Sequence, residues 1–401
     1  MMMFSRLGCF MALMLSASVL QACQTIATSA TPVTQSSNLV ADKQLSVGAK
    51  PHGIAAVGGY VYNADTGAAQ ISVIDVRSDE VVTRVAMKPG GTPGYIQAFR
   101  DGRHALALDT ARGVLLVIDP LVEHQVVQEV PVGKGPDKMV IASNDRDVYV
   151  SLTGESQVVA LQFDADRSQA PTRKSYSVGA VAGGAFKHRA IAAGGSWLVV
   201  PNSADNHTSL INTNDGSIRL LKDGNDPGPV ALGQQFGRPT VAMIGYKTSN
   251  TVGLFDLADG SQTSLSGLGQ TPSDVAVDTE LKRAFFSMTG SNEVAVIDYE
   301  AKTVLGRIPV GKRPVHTYMA PEWSDQAVRS LQHVGMRGVH EVWIGNDDDG
   351  TVSVIDSEAM RVKATIQTGA GHHKMTFWGH KAYVSNMTDN TVSVIDRAVL
   401  P

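Results

Sequence analysis

Five of the eleven histidines in this 401-residue chain stand in one kind of local setting, each beside a short apolar run. They are His52 (Pro51-His52-Gly53), His188 (Lys187-His188-Arg189), His316 (Pro314-Val315-His316) and the pair His372-His373. Neutral imidazoles gathered in one place suit Cu(II) or Zn(II), and zinc typically takes three or four such ligands in tetrahedral array. Met319 and Met375 lie nearby and could add thioether ligands to Cu(I), although core packing explains both more simply. The bland reading of the histidines is that they cap turns or hydrogen-bond between neighbouring elements. Asp137 and Asp274 occupy similar pre-strand positions and are the carboxylates available to activate water.

The elements that must position these residues are announced by a repeated phrase. Tyr383–Asp396 reads YVSNMTDNTVSVID, and Trp343–Asp356 reads WIGNDDDGTVSVID. Phe286–Asp298, Tyr149–Leu161 and Tyr62–Asp75 repeat the form, and Ala107–Asp119 is a looser copy. Four short strands in a period of roughly 42 residues is the grammar of a propeller blade. Units begin near Pro51, Pro93, Pro136, His188, Pro227, Pro272, Pro314 and His372. The last unit stops after its third strand, and Lys43–Gly48 has the form of the missing fourth. The expected fold is therefore all-β: a single eight-bladed β-propeller of four-stranded blades, closed by an N-terminal strand completing the last blade. Seven blades is the alternative if unit four or five is not a true blade. The aspartates closing the third strands (Asp75, Asp119, Asp298, Asp356 and Asp396) are expected to cap turns rather than to catalyse.

Strand alternation qualifies the histidine cluster. An ungapped alignment sets His188 against His372 and His52 against His373, with His316 one residue further on. With regular strands, His372, His188 and His316 would face one way and His52 and His373 the other.

Other features are secondary. Blade seven carries an insertion, Ala320–Val339, between its first two strands. Trp323 is its candidate anchor for a partner protein of the cell envelope. Asp347-Asp348-Asp349 lacks the alternate spacing of calcium loops and reads as a turn. His207 lies in the corresponding loop of blade four. The net charge of −4, with no basic block beyond Lys312-Arg313, gives no footprint for nucleic acid. No nucleophile elbow, phosphate-cradling loop, dinucleotide fingerprint or haem-attachment motif is present.

The N-terminus reads as a leader. Arg6 and the apolar Leu7–Leu20 form a signal-peptide pattern too short to span a bilayer, ending in Leu20-Gln21-Ala22-Cys23. That tetrad resembles a bacterial lipobox. It implies residues 1–22 as signal, a lipidated Cys23, residues 23–38 as a flexible tether and 39–401 as the propeller. An ordinary secretory signal is the alternative.

The repeated phrases themselves resemble the YVTN-type β-propeller repeat family over nearly the whole mature chain. Relatives in that family include haem-d1-binding domains and their assembly factors, periplasmic zinc chaperones, lactonases and cell-surface proteins. The resemblance implies a ligand site at one end of the central channel. The resulting expectation is a lipid-anchored, periplasm-facing binding propeller of the outer membrane, holding copper, zinc or a metal-containing ligand at a histidine-lined mouth. A lactonase-like hydrolase and a protein-interaction scaffold in the envelope are the rivals.

Overall fold

Every repeat unit folds into a four-stranded antiparallel sheet, and the eight sheets follow one another around a ring. The computed structural model describes residues 38–181, 189–321 and 340–401, and residues 36–401 form one compact unit. Within each blade the strands run in chain order from the channel outward, apart from the outermost strands of blades 7 and 8, which the N-terminal segment supplies. Each innermost strand packs against the next, and Pro51–Val57 of blade 1 closes the circle against His372–Trp378 of blade 8. The eight-bladed reading holds. Six innermost strands start at the anticipated prolines and one at His372. In blade 4 the strand begins at Ala192, and His188 lies outside the described residues.

The third strands show why SVID repeats. Thr351–Asp356 and Thr391–Asp396 are buried along their whole middle, because each is sandwiched between the two neighbouring blades. Their closing aspartates turn the chain, as expected: Asp298 Oδ1 accepts from the N–H groups of Glu300 (2.9 Å) and Ala301 (2.7 Å), and Asp356 Oδ1 from Glu358 and Ala359. Asp75, Asp119 and Asp396 do the same with Arg77, Leu121 and Ala398. Outermost strands alternate between half-buried and exposed, as in Glu80–Ala86.

Ring closure is as anticipated and carries one addition. Lys43–Ser46 pairs antiparallel with Thr391–Val394 and completes blade 8. Just before it, Asn38–Val40 pairs in parallel with Thr365–Gln367 as a fifth strand of blade 7. The strand therefore starts inside the expected tether, and the N-terminal segment straps blades 7 and 8 together. This double seam covers the outer edges of Arg361–Gln367 and Thr391–Asp396 at the point where the ring closes.

Blade 7 is also pinned from its other end. Glu341, 3% exposed, receives the Lys363 ammonium (2.7 Å), the Arg397 guanidinium (3.2 Å) and the Trp343 Nε1–H (3.0 Å). Arg397 also donates to the Pro321 carbonyl at the root of the insertion. Trp323 and the rest of 322–339 lie outside the described residues, as do Cys23 and the leader. Asp347 and Asp348 pair with Arg313, and Asp349 accepts the Lys312 N–H (2.7 Å), so the acidic triplet serves the loop–loop seam. Among the described residues no helix is long and apolar enough to cross a membrane.

Candidate functional site

The innermost strands enter the channel through a repeated local device. A residue in the left-handed region precedes the first strand residue in six blades: Lys50, Gly135, Asp226, Thr271, Arg313 and Gly371. A register shift follows immediately, between Pro51 and Ile54, Pro136 and Lys138, Pro314 and His316, and His372 and Lys374. This bulge frees the second and third positions from strict alternation. Matching the registers sets His52 with His373 at the second position. His316 falls with Lys374, Lys138, Asp274 and Tyr95 at the third.

The grouping expected from regular alternation is therefore wrong. His316 does not side with His372; its Nε2 lies 3.0 Å from His373 Nδ1, so one ring donates to the other. The His52 ring stands edge-on to His373 with centroids 3.8 Å apart, closer than ordinary aromatic pairs. His316 and His373 centroids are 5.0 Å apart. Blades 7, 8 and 1 thus bring His52 and His316 each into contact with His373, because the bulges override the pleat.

His372 belongs beside this trio in a different role. It stands where six other blades have proline, is 2% exposed, and its ring centroid is 6.0 Å from that of His316. Its ring lies over Gly345 of blade 7. A Cβ on Gly345 would come within 2.0 Å of His372 Nδ1. Blades 3, 6 and 8 carry serine at the equivalent place (Ser151, Ser287 and Ser385), where the hydroxyl ties strands together. Ser385 Oγ, for example, donates to the carbonyls of Lys374 (3.0 Å) and His52 (3.2 Å). Glycine in blade 7 makes room for the imidazole. Neither ring nitrogen of His372 has a hydrogen-bond partner among the described residues. Replacing Gly345 with Ser, the residue of the sibling blades, should expel the His372 ring and lower stability by about 1–3 kcal/mol, the usual range for overpacking. Thermal or denaturant unfolding checks this, and an unchanged midpoint would contradict the packing.

Electrostatics keep these rings uncharged. Burial holds His372 down to about 3, and the Lys374 ammonium adds to the effect. Burial likewise holds His316 well below the usual imidazole range, with Lys374, His372 and Lys138 contributing. His373 is lowered by burial and by His52, His316 and Lys374. All three are neutral around pH 7, the form that can ligate a metal. Among the described residues no three His, Cys, Asp or Glu side chains are already disposed around one point as a ligand set. The trio is in contact without forming a coordination array.

The remaining candidates are placed as follows. Asp274 Oδ2 lies 3.5 Å from His316 Nδ1 and accepts the Thr317 N–H at 3.1 Å. Asp137 Oδ2 accepts the Arg189 N–H at 2.6 Å. Met375 packs in the core between blades 7 and 8, and Met319 in the core between blades 6 and 7. His207 contacts the Asp205 carbonyl of its own turn. Sequence reasoning missed Lys374, Tyr95, Tyr318 and Gly345. A signal existed for two of them, Tyr95 and Lys374: Pro93-Gly94-Tyr95, Pro136-Asp137-Lys138, Pro314-Val315-His316 and His372-His373-Lys374 are the same triplet in different blades.

No family model matches the chain, and no curated protein matches it in sequence. Many solved structures share its fold. Dihydro-heme d1 dehydrogenase NirN, in complex with DHE, superposes with a TM-score of 0.62 at 14% identity, covering 90% of this chain and 77% of that one. Apo AztD from Citrobacter koseri gives 0.59 at 13% identity over 85% and 92%. Virginiamycin B lyase from Staphylococcus aureus gives 0.52 at 13% identity over 88% and 98%. These likenesses establish the propeller fold.

Proposed function

We propose that this chain is a binding propeller of the bacterial cell envelope, which holds a transition metal ion, copper or zinc, or a ligand containing one, at the mouth formed by His52, His316 and His373. The observation that carries the reading is the 3.0 Å approach of His316 Nε2 to His373 Nδ1 between rings held neutral. Two imidazole nitrogens bound to one zinc at about 2.0–2.1 Å in tetrahedral array would sit roughly 3.3–3.4 Å apart, so these nitrogens stand near that separation, and each ring turns away from the other to share a metal in place of the proton. The His372 nitrogens, buried and unpartnered, offer a fourth donor beside them. One fold neighbour, NirN, was solved in complex with DHE.

The envelope assignment rests on the leader pattern and on Cys23 as the lipidation site, with the protein facing the periplasm from the outer membrane. A single acyl chain anchors weakly, but a bacterial lipoprotein carries several, and attachment is then stable. The insertion around Trp323 is the proposed contact for an envelope partner. No observation favours the hydrolase reading, since the Asp137 and Asp274 carboxylates are engaged by main-chain N–H groups.

The test is competition for Cu(II) and Zn(II) against chelators of graded affinity, using protein without an affinity tag. Changing both His316 and His373 to Ala should weaken binding by about 100-fold or more, the scale of losing ordered ligands. Equal retention by the variant would overturn the proposal.

A further inference from the structure

Beneath the histidines the channel opens into a cavity of about 290 Å³, lined by Tyr95, Tyr318, Lys374 and Met375 together with the strand Gly53–Ala56. Lys374 is 9% exposed. Among the described residues its ammonium makes no ion pair and no hydrogen bond; its neighbours are the Tyr95 and Tyr318 rings, whose centroids lie 5.4 and 5.6 Å away. Several other shielded cations are matched: Arg397 and Lys363 by Glu341, Arg167 by Asp145, and Lys381 by Asp79. The ammonium borders the cavity without a counter-charge, which leaves it open to an anionic partner. The nearby Asp274 carboxylate does not serve it, being engaged by the N–H groups of Thr317 and Val275. Tyr318 adds a buried hydroxyl with no hydrogen-bond partner among the described residues.

We infer that this cavity is an anion-binding subsite, in which Lys374, framed by Tyr95 and Tyr318, receives the carboxylate or phosphate group of a small ligand. The cavity is at the small end of ligand pockets, which run from about 300 Å³ upward, and so takes an anion of modest size. Lys374 follows His373 directly in the chain, so its charge opposes a cation at the histidine trio. An anion on Lys374 cancels that repulsion, and by linkage metal and anion strengthen each other's binding. This coupling rests on the metal reading above; the anion subsite does not.

The experiment titrates purified full-length, metal-free protein in detergent, at fixed ionic strength, with succinate in one arm and inorganic phosphate in the other. Calorimetry should show saturable one-to-one binding of at least one probe, and the arm that saturates identifies the anion class. Lys374→Met should weaken that binding by about tenfold or more, the cost of losing a charge-assisted contact, and Lys374→Arg should restore part of it. Lys374→Met should also bind Cu(II) at least as tightly as the wild type, and only the wild type should gain Cu(II) affinity when the anion is added. Failure of the wild type to saturate with either probe overturns the subsite without any variant. Equal anion binding by a folded Lys374→Met protein overturns it as well. Anion binding with no Cu(II) retention would sustain the subsite while removing the metal reading.

Discussion

The protein should lose about 4 kcal/mol of unfolding free energy between about pH 7.5 and about pH 5.5, well above the range in which carboxylates titrate. The cause is the set His316, His372 and His373, each held below the ordinary imidazole value of 6.5 by burial and by nearby cations. In the unfolded chain these rings take up protons as the pH drops through 6.5, whereas in the fold they stay neutral. The unfolded state then binds more protons, so stability is fully present above 6.5 and declines as the pH falls. For His372 the decline continues toward about 3. Each such ring contributes a limiting slope of about 1.4 kcal/mol per pH unit. His372→Pro supplies the internal control, because proline is the residue of six sibling strands and the preceding Gly371 already has the left-handed conformation that precedes proline in other blades. That variant should remove about a third of the slope while keeping the fold. Denaturant unfolding as a function of pH measures both. A curve flat between these limits would mean that the imidazoles are not held neutral.

The second large effect concerns Glu341. Its carboxylate is the common acceptor for Lys363, Arg397 and the Trp343 indole. The Arg397 side chain is 1% exposed, so removing Glu341 leaves a guanidinium buried without its counter-charge. Glu341→Ala should cost about 3–5 kcal/mol, the range for breaking a buried pair from one side. Glu341→Gln keeps an acceptor for the indole and for one guanidinium N–H and should cost less. A loss below about 1 kcal/mol in the alanine variant would show that solvent reaches Arg397 freely. The effect bears on function because this cluster secures blade 7, which carries His316 and the proposed partner-binding insertion.

The scaffold was legible because it repeats. Six prolines and His372 mark the innermost strands to the residue, and the unfinished last blade announced the N-terminal strand that completes it. The parallel strand Asn38–Val40 was not legible, since three residues after a Ser- and Thr-rich stretch carry no pattern of their own. The site was legible in its residue types and not in its geometry. Simple alternation separates His316 from His373, and only the bulges after Pro314 and His372 bring them together. Those bulges arise where the left-handed entry residue and the crowding of innermost strands meet, as at Gly53, whose Cβ would lie 2.3 Å from the Gly94 carbonyl oxygen. Gly345 was visible all along as the glycine standing in WIGN where YVSN has serine. Its meaning required knowing that His372, in the next blade, fills the space.

The central claim is that the imidazoles of the mouth ligate a metal, and pulsed electron paramagnetic resonance of the tag-free protein loaded with one equivalent of Cu(II) tests it most directly. Modulation from at least two imidazole nitrogens, reduced in His373→Ala and in His316→Ala, is the predicted result. A spectrum unchanged by both substitutions, or one without imidazole coupling, would contradict the account.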